Sequence, residues 1–176
     1  MTAAPDAVSP DDLRRAAERV LALCRARGLT IATAESCTGG LLSAALTEIA
    51  GSSDVFERGF VTYSNAAKTE MLGVDAALIE AHGAVSEPVA RAMAIGALRH
   101  SHAQVSVAVT GVAGPTGGSL DKPVGTVWFG WCVAETSTSE MHRFAGDRAA
   151  VRLQTVQLAL TRLVELLDTA APSEPA

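Results

Sequence analysis

Glu35-Ser36-Cys37-Thr38 places a carboxylate, two hydroxyls and a thiol in four consecutive positions, followed at once by Gly39-Gly40. Leu29 to Ala32 ahead of them reads as a short strand, and Leu41 to Leu46 behind them as a helix. A small polar turn between strand and helix holds its side chains on rigid supports. The helix start offers unpaired N–H groups to an anion or a polarised carbonyl. The same residues also suit an ordinary helix cap with a glycine turn, because Ser and Thr are preferred caps. What separates a nucleophilic hydroxyl from a cap is a base within reach.

None of His82, His100, His102 and His142 adjoins a glycine-rich strand end, although His82 could approach in space. Lys68 is the other option, and of 14 Lys and Arg residues only Lys68 and Lys122 are lysines. An amine can take a proton from serine if burial or a neighbouring cation leaves it partly neutral, and a Ser-Lys pair is a known variant of the Ser-His-Asp scheme. Tyr63, the single tyrosine, with Ser64 and Asn65, leads from a strand end into Lys68. Strand ends are where open α/β sheets bind ligands.

Other chemistries lack their signatures. There is no G-x-x-x-x-G-K-[ST] and no G-x-G-x-x-G, and Ser36 sits between Ala34 and Thr38 rather than in a G-x-S-x-G elbow. The histidines lack metal-ligand spacing, so no metal is expected, and with the dinucleotide fingerprint missing nothing in the motifs calls for an organic cofactor. Cys24, Cys37 and Cys132 form no C-x-x-C pair and are odd in number, which points to a reducing cytoplasm. A net charge of −5 argues against wrapping nucleic acid. No apolar run is long enough to span a bilayer, and the first ten residues do not read as a secretory signal.

The elements that must position these groups alternate along the 176 residues as a single domain. Residues 1–8 read as a loose leader. Ser9-Pro10-Asp11-Asp12 starts an amphipathic helix that Gly28 stops. Val55 to Tyr63 reads as a strand, with Gly59 a bulge or a close backbone approach. Helices are predicted from Ser64 to about Leu72, over 76–81, and from Ser86 to about His102. Gln104 to Val109 is a strand with valines on one face and small residues on the other, which calls for a helix packed close. It runs into the second glycine-rich loop, Thr110 to Gly118. Val124 to Ala134 reads as a mid-sheet strand, Glu135 to Ser139 as a turn, and Met141 to Ala145 as the return strand of a hairpin. A last amphipathic helix starts at Asp147, and 170–176 is a frayed tail. This order predicts an α/β domain with helices on both faces of a largely parallel sheet.

Several blocks together resemble the CinA C-terminal domain family, the nicotinamide mononucleotide deamidases. They are Thr33 to Gly40, Gly51-Ser52-Ser53, Val61 to Asn65 with Lys68, His82 to Ser86, and Val109 to Gly118. The resemblance covers about residues 10–168. Larger members of the family carry an additional N-terminal domain, for which this chain has no room, so it implies the stand-alone deamidase. It further implies a three-layer α/β/α sandwich with a mixed sheet, and hydrolysis of the carboxamide of nicotinamide mononucleotide to nicotinate mononucleotide and ammonia, in pyridine nucleotide recycling. Carried onto matching positions, Ser36 is the nucleophile and Lys68 its general base. Glu35, Thr38, Gly39, Gly40, Ser53, Tyr63, Thr110 and an arginine bind substrate. That arginine is placed at Arg148, with Arg152, one helical turn on, as the alternative. The N–H groups near Gly39 and Gly40 are candidates for the oxyanion hole. Homodimers are an expectation from the family alone.

Two rival readings remain on the residues. Cys37 could be the nucleophile, since thiols at helix starts can have low pKa values. Alternatively the glycine-rich loops could serve a non-catalytic module that binds a nucleotide phosphate.

Overall fold

The computed structural model describes residues 8–170; the expectations for the leader and tail fall outside these, apart from Val8 and Ala170. Helix α1 (Pro10–Ala26) starts as the sequence dictates. The Ser9 hydroxyl accepts from the Asp11 N–H, Pro10 takes the first turn, and Gly28 beyond the end has φ +65°.

Five strands form one sheet in the order β2-β1-β3-β4-β5. They are β1 (Ile31–Glu35), β2 (Phe56–Val61), β3 (Val105–Gly111), β4 (Thr126–Val133) and β5 (Thr136–Arg143). β1 pairs in parallel with both β2 and β3, and β4 runs antiparallel to both its neighbours. The sheet is therefore mixed, with β4 alone reversed. Helices α1, α2 (Leu41–Thr47) and α6 (Arg148–Thr169) cover one face. Helices α3 (Asn65–Leu72), α4 (Ala76–His82) and α5 (Glu87–Arg99) lie on the other.

The two faces follow from strand periodicity. Val105, Val107 and Val109 of β3 enter the core beneath α1 and α6, with Trp131, Leu160 and Leu163. Fully burying such a side chain contributes roughly 1.5–3 kcal/mol. Ala108 enters the smaller core under α5, and the Ser106 hydroxyl donates to the Ala94 carbonyl at 2.7 Å. Small residues here do let a helix come close: a Cβ on Gly130 would overlap the Ala90 carbonyl of α5. Gly59 is a similar close approach, since a Cβ there would collide with the Ser43 and Thr33 side chains.

Each strand differs from its expected limits by a residue or more, and β1 and β5 differ most. β1 spans Ile31–Glu35 rather than Leu29–Ala32, because backbone pairing to two neighbours carries it through the polar Thr33 and Glu35. β5 begins at Thr136, not Met141. Its polar first half is ordered by the ladder to β4 through a two-residue turn, Ala134-Glu135, with φ of +50° and +63°. Both central residues at positive φ is the turn that matches strand twist, and a polar sequence suits a sheet edge. Helix α5 also stops earlier than expected, at Arg99.

The chain leaves β1 for β2 on one side, then crosses to β3 on the other. The resulting crevice, beyond the carboxyl ends of β1 and β3, is the switch point where open α/β sheets bind ligands.

Candidate active site

Ser36 is the first residue after β1. Its N–H donates to Val109 O at 3.0 Å, which ties the loop carrying Ser36 to β3. The loop turns back at once, with Gly39 N–H donating to Ser36 O at 3.1 Å. Gly39 and Gly40 have φ of +57° and +103°, conformations that glycine adopts without steric cost.

Glu35 organises this turn from below. Its carboxylate is wholly buried and accepts five hydrogen bonds. The donors are Thr38 Oγ1 (2.6 Å), the N–H groups of Gly40 (3.0 Å), Leu42 (3.0 Å) and Ser43 (2.8 Å), and Ser43 Oγ (2.6 Å). It satisfies orphan donors at the start of α2, which no side chain caps from Gly40 itself. This corrects the sequence expectation for Glu35, Thr38, Gly39 and Gly40 as groups that touch substrate. Their polar groups are engaged within the loop, and neither glycine N–H is available to an oxyanion.

Lys68 rises from α3, which Ser64 caps by accepting from the Ala67 N–H. The side chain is 1% exposed, and Nζ lies 3.0 Å from Ser36 Oγ, 2.8 Å from Thr62 O and 3.5 Å from Tyr63 O. Burial pushes its pKa down to about 8, with the nearby Cys37 acting in the opposite direction. Cys37 moves the other way: desolvation drives its thiol up to about 12, which removes the low-pKa premise of a thiol nucleophile.

Ser36, Lys68, Tyr63, Thr110 and Arg148 line one pocket of about 240 Å³. The Thr110 hydroxyl donates to the Ala84 carbonyl (2.9 Å) and so holds the segment after α4 against the site. Tyr63 projects outward, and Arg148 bridges its hydroxyl (2.9 Å) to the Gly114 carbonyl (2.9 Å) in the second glycine-rich loop. Arg152, one turn further along α6, donates to the Thr38 carbonyl at 2.7 Å in the loop that carries Ser36.

Ser53 is not part of the site. It follows Gly51 in a short 3-10 turn ahead of β2, at the opposite end of the strands from Ser36 and Lys68. A six-residue strand puts those ends roughly 20 Å apart. The Gly51–Asp54 segment instead receives Arg25 of α1, through the Gly51 carbonyl and the Asp54 carboxylate. Conversely, Asn65, Ala84, Val85, Gly111 and Ala113 line the pocket without having been assigned a role. All five lie within the blocks that carried the resemblance, Val61 to Asn65, His82 to Ser86 and Val109 to Gly118, which were quoted without giving these positions a role. His82 is not among the lining residues; its carbonyl accepts from Lys122 Nζ at 2.6 Å.

A serine and a buried, pKa-lowered lysine are in contact at the switch point of a mixed α/β sandwich, a pairing of the kind that Ser-Lys variants of the Ser-His-Asp scheme use. The chain belongs to the CinA family: the model of the CinA C-terminal domain matches residues 13–167. It is 50% identical over 157 residues to the nicotinamide-nucleotide amidohydrolase PncC of Escherichia coli K12, covering 89% of this chain and 95% of that one. A CinA-like protein of Mycolicibacterium vanbaalenii is 57% identical over 134 residues, which are 76% of this chain but 32% of that longer protein. Among solved structures, the competence/damage inducible protein CihA of Agrobacterium tumefaciens superposes with a TM-score of 0.87 at 45% identity, covering 96% of this chain and all of that one.

Proposed function

We propose that this chain hydrolyses the carboxamide of nicotinamide mononucleotide to nicotinate mononucleotide and ammonia, with Ser36 as nucleophile and Lys68 as general base. The observation that carries the reading is the 3.0 Å contact between the buried Lys68 Nζ and Ser36 Oγ at the floor of an open pocket. The likeness to PncC over nearly its whole length supplies the substrate.

The surroundings of the amine suit this role. A neutral amine has two N–H groups to donate and one lone pair. The Thr62 and Tyr63 carbonyls can only accept, so they take the N–H groups and turn the lone pair to the Ser36 hydroxyl. Ser36 Oγ attacks the carboxamide carbon as its proton passes to Lys68. The tetrahedral oxyanion collapses, the C–N bond breaks, and Lys68 returns the proton to the departing nitrogen as ammonia. Water then attacks the acyl-enzyme, Lys68 accepts its proton, and Ser36 leaves carrying that proton with nicotinate mononucleotide released. The pyridinium charge of the substrate makes the carbonyl more electrophilic throughout.

The oxyanion is assigned to the N–H groups of Cys37 and Gly111, both at pocket residues. Val112 N–H bonds Thr126 O in β4, so by antiparallel alternation the Gly111 N–H faces the other way. That is the side from which the chain after β1 has turned off. A single well-placed donor contributes about 3–4 kcal/mol to such a transition state.

Arg148 and Tyr63 at the pocket mouth are assigned to the ribose-phosphate end of the substrate. The three free cysteines are buried and suit the reducing cytoplasm in which this recycling step is placed. The deciding experiment is ammonia release from nicotinamide mononucleotide by the wild-type chain and by Ser36→Ala. Release from the first and not the second is expected; none from either, with both folded, overturns the reading in favour of a module that only binds.

A further inference from the structure

One side chain of the catalytic pocket has hydrogen-bonding capacity that no neighbour takes up. Asn65 lines the pocket at the first position of α3, three residues before Lys68. At that spacing the two residues stand on one face of the helix, a turn apart. The hydrogen bonds nearby belong to its neighbours. Ser64 Oγ accepts from the Ala67 N–H, and Lys68 Nζ meets Ser36 Oγ and the Thr62 and Tyr63 carbonyls. The Asn65 carboxamide is exposed and bonds to none of the described residues.

Strand order decides what this group faces. β1 lies between β2 and β3, so Ser36 at its end has α3, which follows β2, on one side. Gly111, which ends β3, is on the other. The oxygen and nitrogen of a carboxamide lie on opposite sides of its carbon. With the oxygen on the N–H groups of Cys37 and Gly111, the nitrogen falls on the α3 side. That NH2 leaves water when substrate binds, and a donor left unpaired there is costly. Among the described residues no carboxylate lines the pocket. Tyr63 Oη is turned to Arg148, and Thr110 Oγ1 lies on the β3 side against the Ala84 carbonyl. Asn65 Oδ1 is the side-chain acceptor that remains on the α3 side.

We propose that Asn65 is a specificity-determining residue for the reacting amide, its Oδ1 accepting a hydrogen bond from the substrate NH2. The inference rests on the amidase reading above and names the group that recognises its leaving nitrogen. An N–H held by Asn65 stops the nitrogen from turning about the C–N bond. As the carbon becomes tetrahedral, the lone pair that forms on nitrogen then faces Lys68 Nζ, one turn along the same helix face. The protonated lysine gives its proton to that lone pair. The C–N bond breaks with its electron pair on nitrogen, and ammonia leaves with Lys68 neutral again. An ester in place of the amide offers Asn65 no N–H.

The test compares kcat/KM for nicotinamide mononucleotide and for the methyl ester of nicotinate mononucleotide in the wild type, Asn65→Ala and Asn65→Asp. Rates are read on each enzyme's high-pH plateau, with uncatalysed hydrolysis subtracted. The position is exposed and acids suit a first helical turn, so both variants are expected to fold. Asn65→Ala is expected to lower the amide-to-ester ratio about five-fold or more, the scale of one neutral hydrogen bond. Asn65→Asp keeps an acceptor and should hold the ratio within about two-fold. Its charge, a turn from Lys68, should also move the midpoint of the pH–rate profile upward. Amide and ester slowed alike by Asn65→Ala, or neither slowed, overturns the proposal. So does an Asn65→Asp ratio as low as that of Asn65→Ala, and a midpoint that stays put places residue 65 away from the lysine and overturns it too. Wild type that turns over neither substrate overturns the amidase reading, and the proposal with it.

Discussion

Lys68 Nζ and Ser36 Oγ meet at 3.0 Å across 32 residues of chain, with the lysine held by two carbonyls and, among the described residues, by no carboxylate. Burial of the amine with no carboxylate beside it disfavours its charged form. Ser36→Ala is therefore expected to lower turnover about a thousand-fold or more, while folding stability changes by under ~1 kcal/mol because the side chain fills no core cavity. Cys37→Ala should keep most of the activity. A dead Cys37→Ala beside a live Ser36→Ala would assign the reaction to the thiol.

The rate should rise with pH. Only the neutral form of Lys68 can accept the serine proton, and its pKa is about 8. kcat/KM should climb through that value and level off above it, with roughly a tenth of the amine competent at pH 7. Lys68→Arg should be nearly as damaging as Lys68→Ala, because a guanidinium does not give up its proton at working pH. Near-normal turnover in Lys68→Arg would move the base to Tyr63, which also lines the pocket.

Burying Lys68 should also cost stability in a defined window. Its folded pKa, about 8, is below the ~10.4 of an unfolded lysine. Between those values the unfolded chain holds more protons, so stability rises with pH there. The cost is fully present below about pH 8 and absent above about 10.4. Lys68→Met should be inactive yet more stable at pH 7, by up to ~3 kcal/mol less the loss at the unpaired Thr62 carbonyl. Denaturant midpoints taken at pH 7 and pH 10 check it: the gain must shrink at the higher pH.

Glu35 should matter to turnover without touching substrate. Glu35→Gln keeps the volume but sets an NH2 against N–H and O–H donors that all point inward. A loss of about 3 kcal/mol in folding stability is expected, along with a fall in kcat larger than any rise in KM as the loop carrying Ser36 loosens. A rise in KM alone would return Glu35 to the substrate.

Tyr63→Phe removes the hydroxyl that orients Arg148. KM should rise several-fold with kcat little changed. Arg148→Ala should raise KM further, about ten- to hundred-fold, the scale of a lost charge-assisted bond. Ser53→Ala, at the far end of the strands, should leave both constants alone, and an effect there would contradict its placement.

Much of this molecule was written in short-range signals. Ser9-Pro10 and Gly28 bound α1, Ser64 caps the helix that carries Lys68, and Asp147 caps α6, because cap chemistry acts within one turn. The valine-small alternation of β3 announced which face a close helix would cover. Ser36, Lys68, Tyr63, Thr110 and Arg148, named from their blocks, all reach one pocket. Tertiary structure decided the rest. Glu35 looked like a reactive group in a polar turn, but five inward donors make it the keystone of that turn. Gly40 was a plausible oxyanion donor until that carboxylate took its N–H. Ser53 travels with the other blocks along the chain, yet the direction of β2 carries it away from the site. Arg152 differs from Arg148 by one turn, and that turn puts its guanidinium against Thr38 rather than Tyr63. Residue type states which hydrogen bonds a group is able to make. Which partner claims each one depends on strand direction and on the groups that folding brings close, and those are properties of the assembled chain.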